Sequence, residues 1–234
     1  KLRLGILEKI KENISTIKKN ILQSEKKFNR KKNSVKLMAV SKTQSTQNIL
    51  EAYGAGQRDF GENYIQESIE KIIELQDLDI IWHFIGKIQS NKAKYIAQNY
   101  DWVHSIDKIS TLEKLNNQRK NAKKKINICI QINVDSEETK SGILINEVEK
   151  FIKQASDFKF IDIRGLMAIP MYQPDHDSQY KTFAKVKDLF DSLVKKGYKL
   201  DTLSVGMSSD YNAAIAAGST IVRIGTSIFG ERKK

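Results

Sequence analysis

The sequence predicts an α/β protein, a single (β/α)8 TIM-type barrel with an extra N-terminal helix, spanning residues 1–234 as one domain. Three observations carry that expectation. Short apolar runs rich in β-branched residues alternate with longer stretches whose apolar residues recur at helical spacing. About eight such strand–helix pairs fit within the chain, roughly the length that a closed barrel of parallel strands needs. The polar and glycine residues that interrupt the pattern gather just after the strands, where barrel enzymes place their sites.

Taken in order, Leu4, Leu7, Ile10, Ile14, Ile17 and Ile21 mark the apolar stripe of a leading helix. A basic loop separates it from a strand over Val35–Val40, followed by a helix over Thr46–Tyr53. The second strand is short and ends near Phe60. A helix then runs from Tyr64 to about Leu75, with Ile65, Ile69, Ile72 and Ile73 on one face. Ile80–Ile85 reads as a strand, Asn91–Ala97 as a helix and Trp102–Ile106 as a strand. A helix covers Leu112 and Leu115, and Ile126–Val134 is an isoleucine-rich strand. Ile143–Ala155 is helical by its spacing, Ile161–Ile169 is a strand, and a long helix spans about Gln179–Lys196. Leu203–Val205, Asn212–Ala217 and Ile221–Ile224 close the chain as strand, short helix and last strand. An open doubly wound sheet is the competing architecture, but no glycine-rich dinucleotide fingerprint follows the first strand.

Composition narrows the function classes. Forty Lys and Arg against 28 Asp and Glu give a formal charge of +12. The excess lies in short runs, Lys26-Lys27, Arg30-Lys31-Lys32 and Lys123-Lys124-Lys125, that fall between periodic segments and read as solvated loops. Without aromatic interleaving or a recognisable motif, no nucleic-acid partner is expected. No apolar run approaches the ~20 residues of a membrane span, so no membrane partner is expected either. The segment from Lys1 to Asn20 has no continuous apolar core and does not read as a signal peptide. The lone Cys129 sits in an apolar run as a small hydrophobe, and a reducing, cytoplasmic setting fits it.

The strand ends carry the chemistry. Lys42 ends the first strand and Gly61-Glu62-Asn63 the second; His83 and Gly86 close the third, Asn133 the fifth, and Met167 to Pro170 the sixth. Gly206-Met207-Ser208 follows the seventh, and Arg223-Ile224-Gly225-Thr226 belongs to the eighth. In a barrel these would ring one mouth. A lysine after a strand is usually a solvated loop residue, but Lys42 is carried into the mouth by an apolar strand, where desolvation favours its neutral amine. His83 and His104 read as hydrogen-bonded core histidines and His176 as a loop residue. No His/Cys/Asp cluster has metal-ligand spacing, so no metal is expected. Ser208 lacks a nucleophile-elbow context.

The last two strand ends offer unobstructed backbone N–H groups and hydroxyls, and a phosphate commonly sits after strands seven and eight of a barrel. The short helix near Asn212 adds a candidate dipole. Strand eight neighbours strand one in a closed barrel, so a lysine and a phosphate cradle would face each other. That pairing suits an aldehyde-bearing phosphate, and pyridoxal 5′-phosphate (PLP) is the obvious choice.

Ala39-Val40-Ser41-Lys42-Thr43, Phe60-Gly61-Glu62-Asn63-Tyr64 and His83-Phe84-Ile85-Gly86 with Gln89-Ser90-Asn91-Lys92 resemble the pyridoxal phosphate homeostasis protein family. So do Gln131-Ile132-Asn133 with Lys140-Ser141-Gly142, Arg164-Gly165-Leu166-Met167, and Leu203-Ser204-Val205-Gly206-Met207-Ser208. Ala213-Ala214-Ile215, Gly218-Ser219-Thr220 and the run Val222 to Gly230 complete a match that spans nearly the whole chain in order.

The resemblance implies the type III PLP fold, similar to the barrel domain of alanine racemase without its second domain. It implies PLP held as a Schiff base on Lys42, Arg223 facing the pyridine nitrogen, and Ser208, Gly225 and Thr226 holding the phosphate, with Asn63 and Met207 near the cofactor. A donor-only arginine favours an unprotonated pyridine nitrogen and makes the ring a poorer electron sink. The expected function is therefore PLP (vitamin B6) homeostasis without established turnover. A low-activity PLP-dependent amino-acid racemase is the alternative. PLP-dependent apo-enzymes are the expected recipients, and the chain is expected to be a monomer. Lys87 stands where proline is common, and Ser209-Asp210-Tyr211 replaces a more acidic stretch; neither departure is expected to touch a cofactor contact.

Overall fold

The computed structural model describes residues 2–122, 124–135, 137 and 140–231, with side chains from residue 8 onward. The side chains of Leu4 and Leu7 of the predicted stripe, and Lys123 of the basic run, therefore lie outside what is described.

Eight parallel strands close into a barrel in sequence order: β1 (Lys36–Val40), β2 (Asp59–Glu62), β3 (Ile81–Phe84), β4 (Trp102–Ile106), β5 (Ile126–Ile132), β6 (Ile161–Ala168), β7 (Thr202–Ser204) and β8 (Ile221–Ile224). Closure comes from β8 pairing with β1, with Met38 opposite Arg223 and Ala39 opposite Ile224. The outer helices are α1 (Leu2–Lys27), α2 (Thr46–Gly54), α3 (Ile65–Glu74), α4 (Ala93–Asn99), α5 (Ile109–Arg119), α6 (Val148–Gln154), α7 (His176–Lys195), α8 (Tyr211–Ala216) and α9 (Thr226–Phe229).

Alternation along the strands divides the interior in two. One set of side chains, including Leu37, Phe60, Phe84, Val103, Ile128, Leu166 and Val222, packs outward against the helices and forms the main apolar core. The other set fills the barrel lumen, where Trp102, Cys129 and Met167 make a small separate cluster. Cys129 is fully buried there, as its apolar run suggested.

The extra helix α1 takes the place that a long helix after β8 would occupy. β8 is followed only by the four-residue α9, and α1 packs against α2, α8 and α9. Its buried stripe is Ile10, Ile14, Ile17 and Ile21. Glu25, only 1% exposed, accepts from the N–H groups of Asn33 and Val35 at 2.9 and 2.8 Å and so ties the end of α1 to the start of β1.

Two predicted elements shift and one was not predicted. Helix α7 begins at His176, not near Gln179, because Asp175 caps it by accepting from the Ser178 N–H at 2.9 Å. His176 is therefore a helical residue rather than a loop residue. The helix predicted from Ile143 starts at Val148 after a 3-10 turn at Ile145–Glu147. Gly142, at φ +123°, turns the chain so that Ile143 instead bridges to Ile132 beside β5. Helix α9 had no counterpart in the sequence pattern.

Candidate functional site

A cavity of about 460 Å³ opens at the C-terminal ends of the strands, and Lys42, Asn63, Met207, Ser208, Arg223, Gly225 and Thr226 all line it. These are the seven residues that the family resemblance implies around the cofactor. Lys42 lies two residues beyond β1, Asn63 one beyond β2, Met207 and Ser208 in the turn after β7, and Gly225-Thr226 at the junction of β8 and α9. Val40, Ile85, Met167 and Ile169 supply apolar walls.

The loop bearing Lys42 is fastened on both sides. The Ser41 N–H donates to the Gly61 carbonyl at 3.0 Å, and the Ser41 hydroxyl donates to Glu62 Oε1 at 2.6 Å. Lys71, from α3, donates to the Ser41 carbonyl and to Glu62 Oε1, each at 2.9 Å. Glu67 accepts from Lys71 and from the Thr43 N–H, which holds Thr43 in the left-handed region at φ +63°. Glu62 is fully buried, and burial pushes its carboxyl above the usual carboxylate range while Lys71 pulls the other way.

Arg223 projects from β8 into the lumen and is 4% exposed. Its Nη1 donates to the Ser204 carbonyl and hydroxyl at 2.5 and 2.9 Å, and its Nη2 donates to the Ala168 carbonyl at 3.0 Å. Burial draws its pKa down to about 10, with Asp210 pulling it back up, so it stays a cation at neutral pH. No ion pair joins it to a carboxylate among the described residues.

Across the cavity, Gly206 adopts φ +97° to turn the chain after β7, and a side chain there would collide with Ala214. The turn presents Ser208 and Ser209, whose N–H groups donate to no protein acceptor among the described residues. Thr226 opens α9, so its N–H has no intrahelical acceptor. Asp210 accepts from the Met207 N–H at 2.6 Å. The Ser209-Asp210-Tyr211 departure thus does touch an expected contact residue, contrary to the sequence expectation, because the turn folds Asp210 back onto Met207.

His83, read from the sequence as a hydrogen-bonded core histidine, points into the lumen, fully buried, and meets His104. One residue expected at the mouth lies elsewhere. Asn133 folds onto its own loop, exchanging hydrogen bonds with the backbone of Glu137. The Glu62–Lys71 pair behind Lys42 was not anticipated. Its sequence signal is the apolar spacing of α3, which puts Lys71 on the buried face beside Ser68. Among the described residues no group of three or more His, Cys, Asp or Glu is placed to hold a metal.

The lining fits an aldehyde-bearing aromatic phosphate. It offers one primary amine, a donor-only guanidinium, and hydroxyl and amide donors grouped on the far side. Asn63 Oδ1, buried without a hydrogen-bond partner among the described residues, is an acceptor awaiting a donor.

Fold and site together define a barrel of the alanine racemase N-terminal-domain class, and the model of that family matches residues 8–233. The chain is 43% identical over 227 residues to the pyridoxal phosphate homeostasis protein of Pasteurella multocida, covering 95% of this chain and 97% of that one. Against the protein of that name from Escherichia coli the identity is 41% over 226 residues, covering 95% and 97%. The chain belongs to the pyridoxal phosphate homeostasis protein family. The solved structure of PipY from Synechococcus elongatus, with PLP bound, superposes at TM-score 0.82 with 34% identity, covering 94% of this chain and all of that one. Alanine racemase from Clostridium difficile shares the fold at TM-score 0.71 and 16% identity, this chain matching 58% of its length.

Proposed function

We propose that this chain binds PLP in the mouth cavity, holds it as a Schiff base on Lys42, and takes part in intracellular PLP (vitamin B6) homeostasis without catalytic turnover. The observation that carries this reading is the convergence of the Lys42 amine, the Arg223 guanidinium and the unsatisfied donors of the Ser208 turn on one cavity. The PLP-bound structure of PipY supports it.

PLP held there supplies an aldehyde and an electron-withdrawing ring. Lys42, fixed through Ser41 and Thr43, presents the amine that joins the aldehyde. Ser208, Gly225 and Thr226 would take the phosphate, Asn63 and Met207 would flank the ring, and Val40 and Ile85 would exclude water. Arg223 would donate toward the ring nitrogen and cannot readily give up its own proton, which would favour an unprotonated nitrogen and support carbanion chemistry poorly. Racemisation needs a second acid/base opposite the lysine. Beside the Lys42 amine, the cavity lining holds no carboxylate, imidazole or thiol among the described residues to take that second role. The chain would act as a cytoplasmic monomer that hands PLP to apo-enzymes.

The test is an absorbance spectrum of wild type beside Lys42→Ala, before and after borohydride. A band near ~420 nm in wild type, bleached by borohydride and missing from the variant, is the expected result. A colourless wild-type protein that added PLP cannot reconstitute would overturn the reading.

A further inference from the structure

A continuous chain of buried hydrogen bonds runs through the lumen from Arg223 to the opposite end of the barrel. The Ser204 hydroxyl, which accepts from Arg223, lies 3.0 Å from His104 Nδ1. His104 Nε2 is 2.9 Å from His83 Nδ1, and His83 Nε2 is 3.0 Å from Asp59 Oδ1. Asp59 opens β2, at the end of the barrel away from the cavity, where it pairs with Lys36 at 3.5 Å and lines a separate cavity of about 400 Å³. His83, His104 and Ser204 are fully buried, and Trp102 stacks on His83 with ring centroids 5.6 Å apart. Five strands contribute one residue each.

The Asp59 end fixes the direction of the bonds once both imidazoles are neutral, the form that burial favours in each. A carboxylate only accepts, so His83 carries its proton on Nε2 and donates to Asp59. His83 Nδ1 then accepts from His104 Nε2, and His104 Nδ1 accepts from the Ser204 hydroxyl, whose oxygen also accepts from Arg223. Burial raises the Asp59 carboxyl, but the hydrogen bond from His83 and the Lys36 ammonium outweigh it and hold the group below its usual range.

We propose that Asp59, His83, His104 and Ser204 are positioning residues, a one-way relay that orients Arg223 toward the cofactor and polarises its Ser204 acceptor from across the barrel. The relay polarises and does not conduct, because Arg223 has no proton to release at neutral pH. A chain that merely satisfied buried polar atoms would be indifferent to the charge on Asp59. This one depends on it, since the anion sets the polarity that reaches the guanidinium.

The cofactor part of the test rests on the PLP reading above; the histidine part does not. In unloaded wild-type protein, 15N-edited imidazole spectra should show His83 and His104 neutral with the proton on Nε2. An Nδ1 proton on either ring would overturn the relay. In PLP-loaded protein, Asp59→Asn keeps an acceptor oxygen but removes the charge. It should speed PLP release by about threefold to tenfold and shift the balance of the cofactor's absorbance bands. In a Ser204→Ala background, where the relay is cut, the same substitution should change neither. Release at the wild-type rate in Asp59→Asn, or an undiminished effect in the Ser204→Ala background, would overturn the proposal. Should wild-type protein take up no PLP, the PLP reading falls while the imidazole spectra still decide the relay.

Discussion

At the scale of single residues, the least replaceable side chain behind the site is Lys71. It neutralises a fully buried Glu62 and holds the Ser41 carbonyl beside Lys42. Lys71→Met preserves most of the packing volume but strands the carboxylate, which costs about 3–5 kcal/mol. Burial already favours the protonated form of Glu62, so acid should soften the loss: once protonated, Glu62 no longer needs a cation. Urea unfolding of wild type and variant at pH 7 and pH 5 checks this, and a loss of equal size at both would assign the effect to hydrocarbon packing instead. The residues of the mouth were legible in the sequence because each interrupts an apolar run at the same point of the repeat. Lys71 was not, since a lysine at a helical position looks the same whether it faces water or a carboxylate. The relay was still less legible. Its five members stand on five strands, and their partnership exists only once the barrel has closed.

At the scale of elements, the tie between α1 and β1 illustrates how a helix outside the repeat becomes part of the barrel. Glu25 accepts from two backbone N–H groups of the connecting loop, and Arg30 donates to the carbonyls of Ile215 and Ser219 next to α8. Glu25→Ala leaves both loop amides without their acceptor and should cost about 1–3 kcal/mol. The urea midpoint should fall with an unchanged slope; a changed slope would mean that α1 detaches separately from the rest. The existence of α1 to α8 was readable from apolar spacing, and the strands fell within a residue or two of their predicted ends. The misses were local. Asp175 as a cap, Gly142 as a turn and α9 as a four-residue helix are each set by one or a few residues, below the length at which periodicity speaks.

At the scale of the whole molecule, the charge of +12 bears on how an anion reaches the mouth. On the reading proposed above, the ligand arrives as a phosphate anion, and a cavity beside the proposed site is lined by Lys87, Lys108 and Lys140, the last paired with Asp135. A positive field at the mouth raises the local concentration of an anion and so speeds its capture. Screening acts over about 10 Å at ~0.1 M salt, so the effect should weaken as salt is added. The apparent second-order rate of PLP capture should fall about threefold or more between low salt and ~0.15 M, with the release rate nearly constant. Lys87→Gln combined with Lys108→Gln should slow capture at low salt and match wild type at high salt, since neither residue lines the PLP cavity itself. Stopped-flow absorbance at several salt concentrations separates the two rates. If salt changes release and leaves capture alone, the positive charge acts on the bound phosphate, and the mouth does not steer.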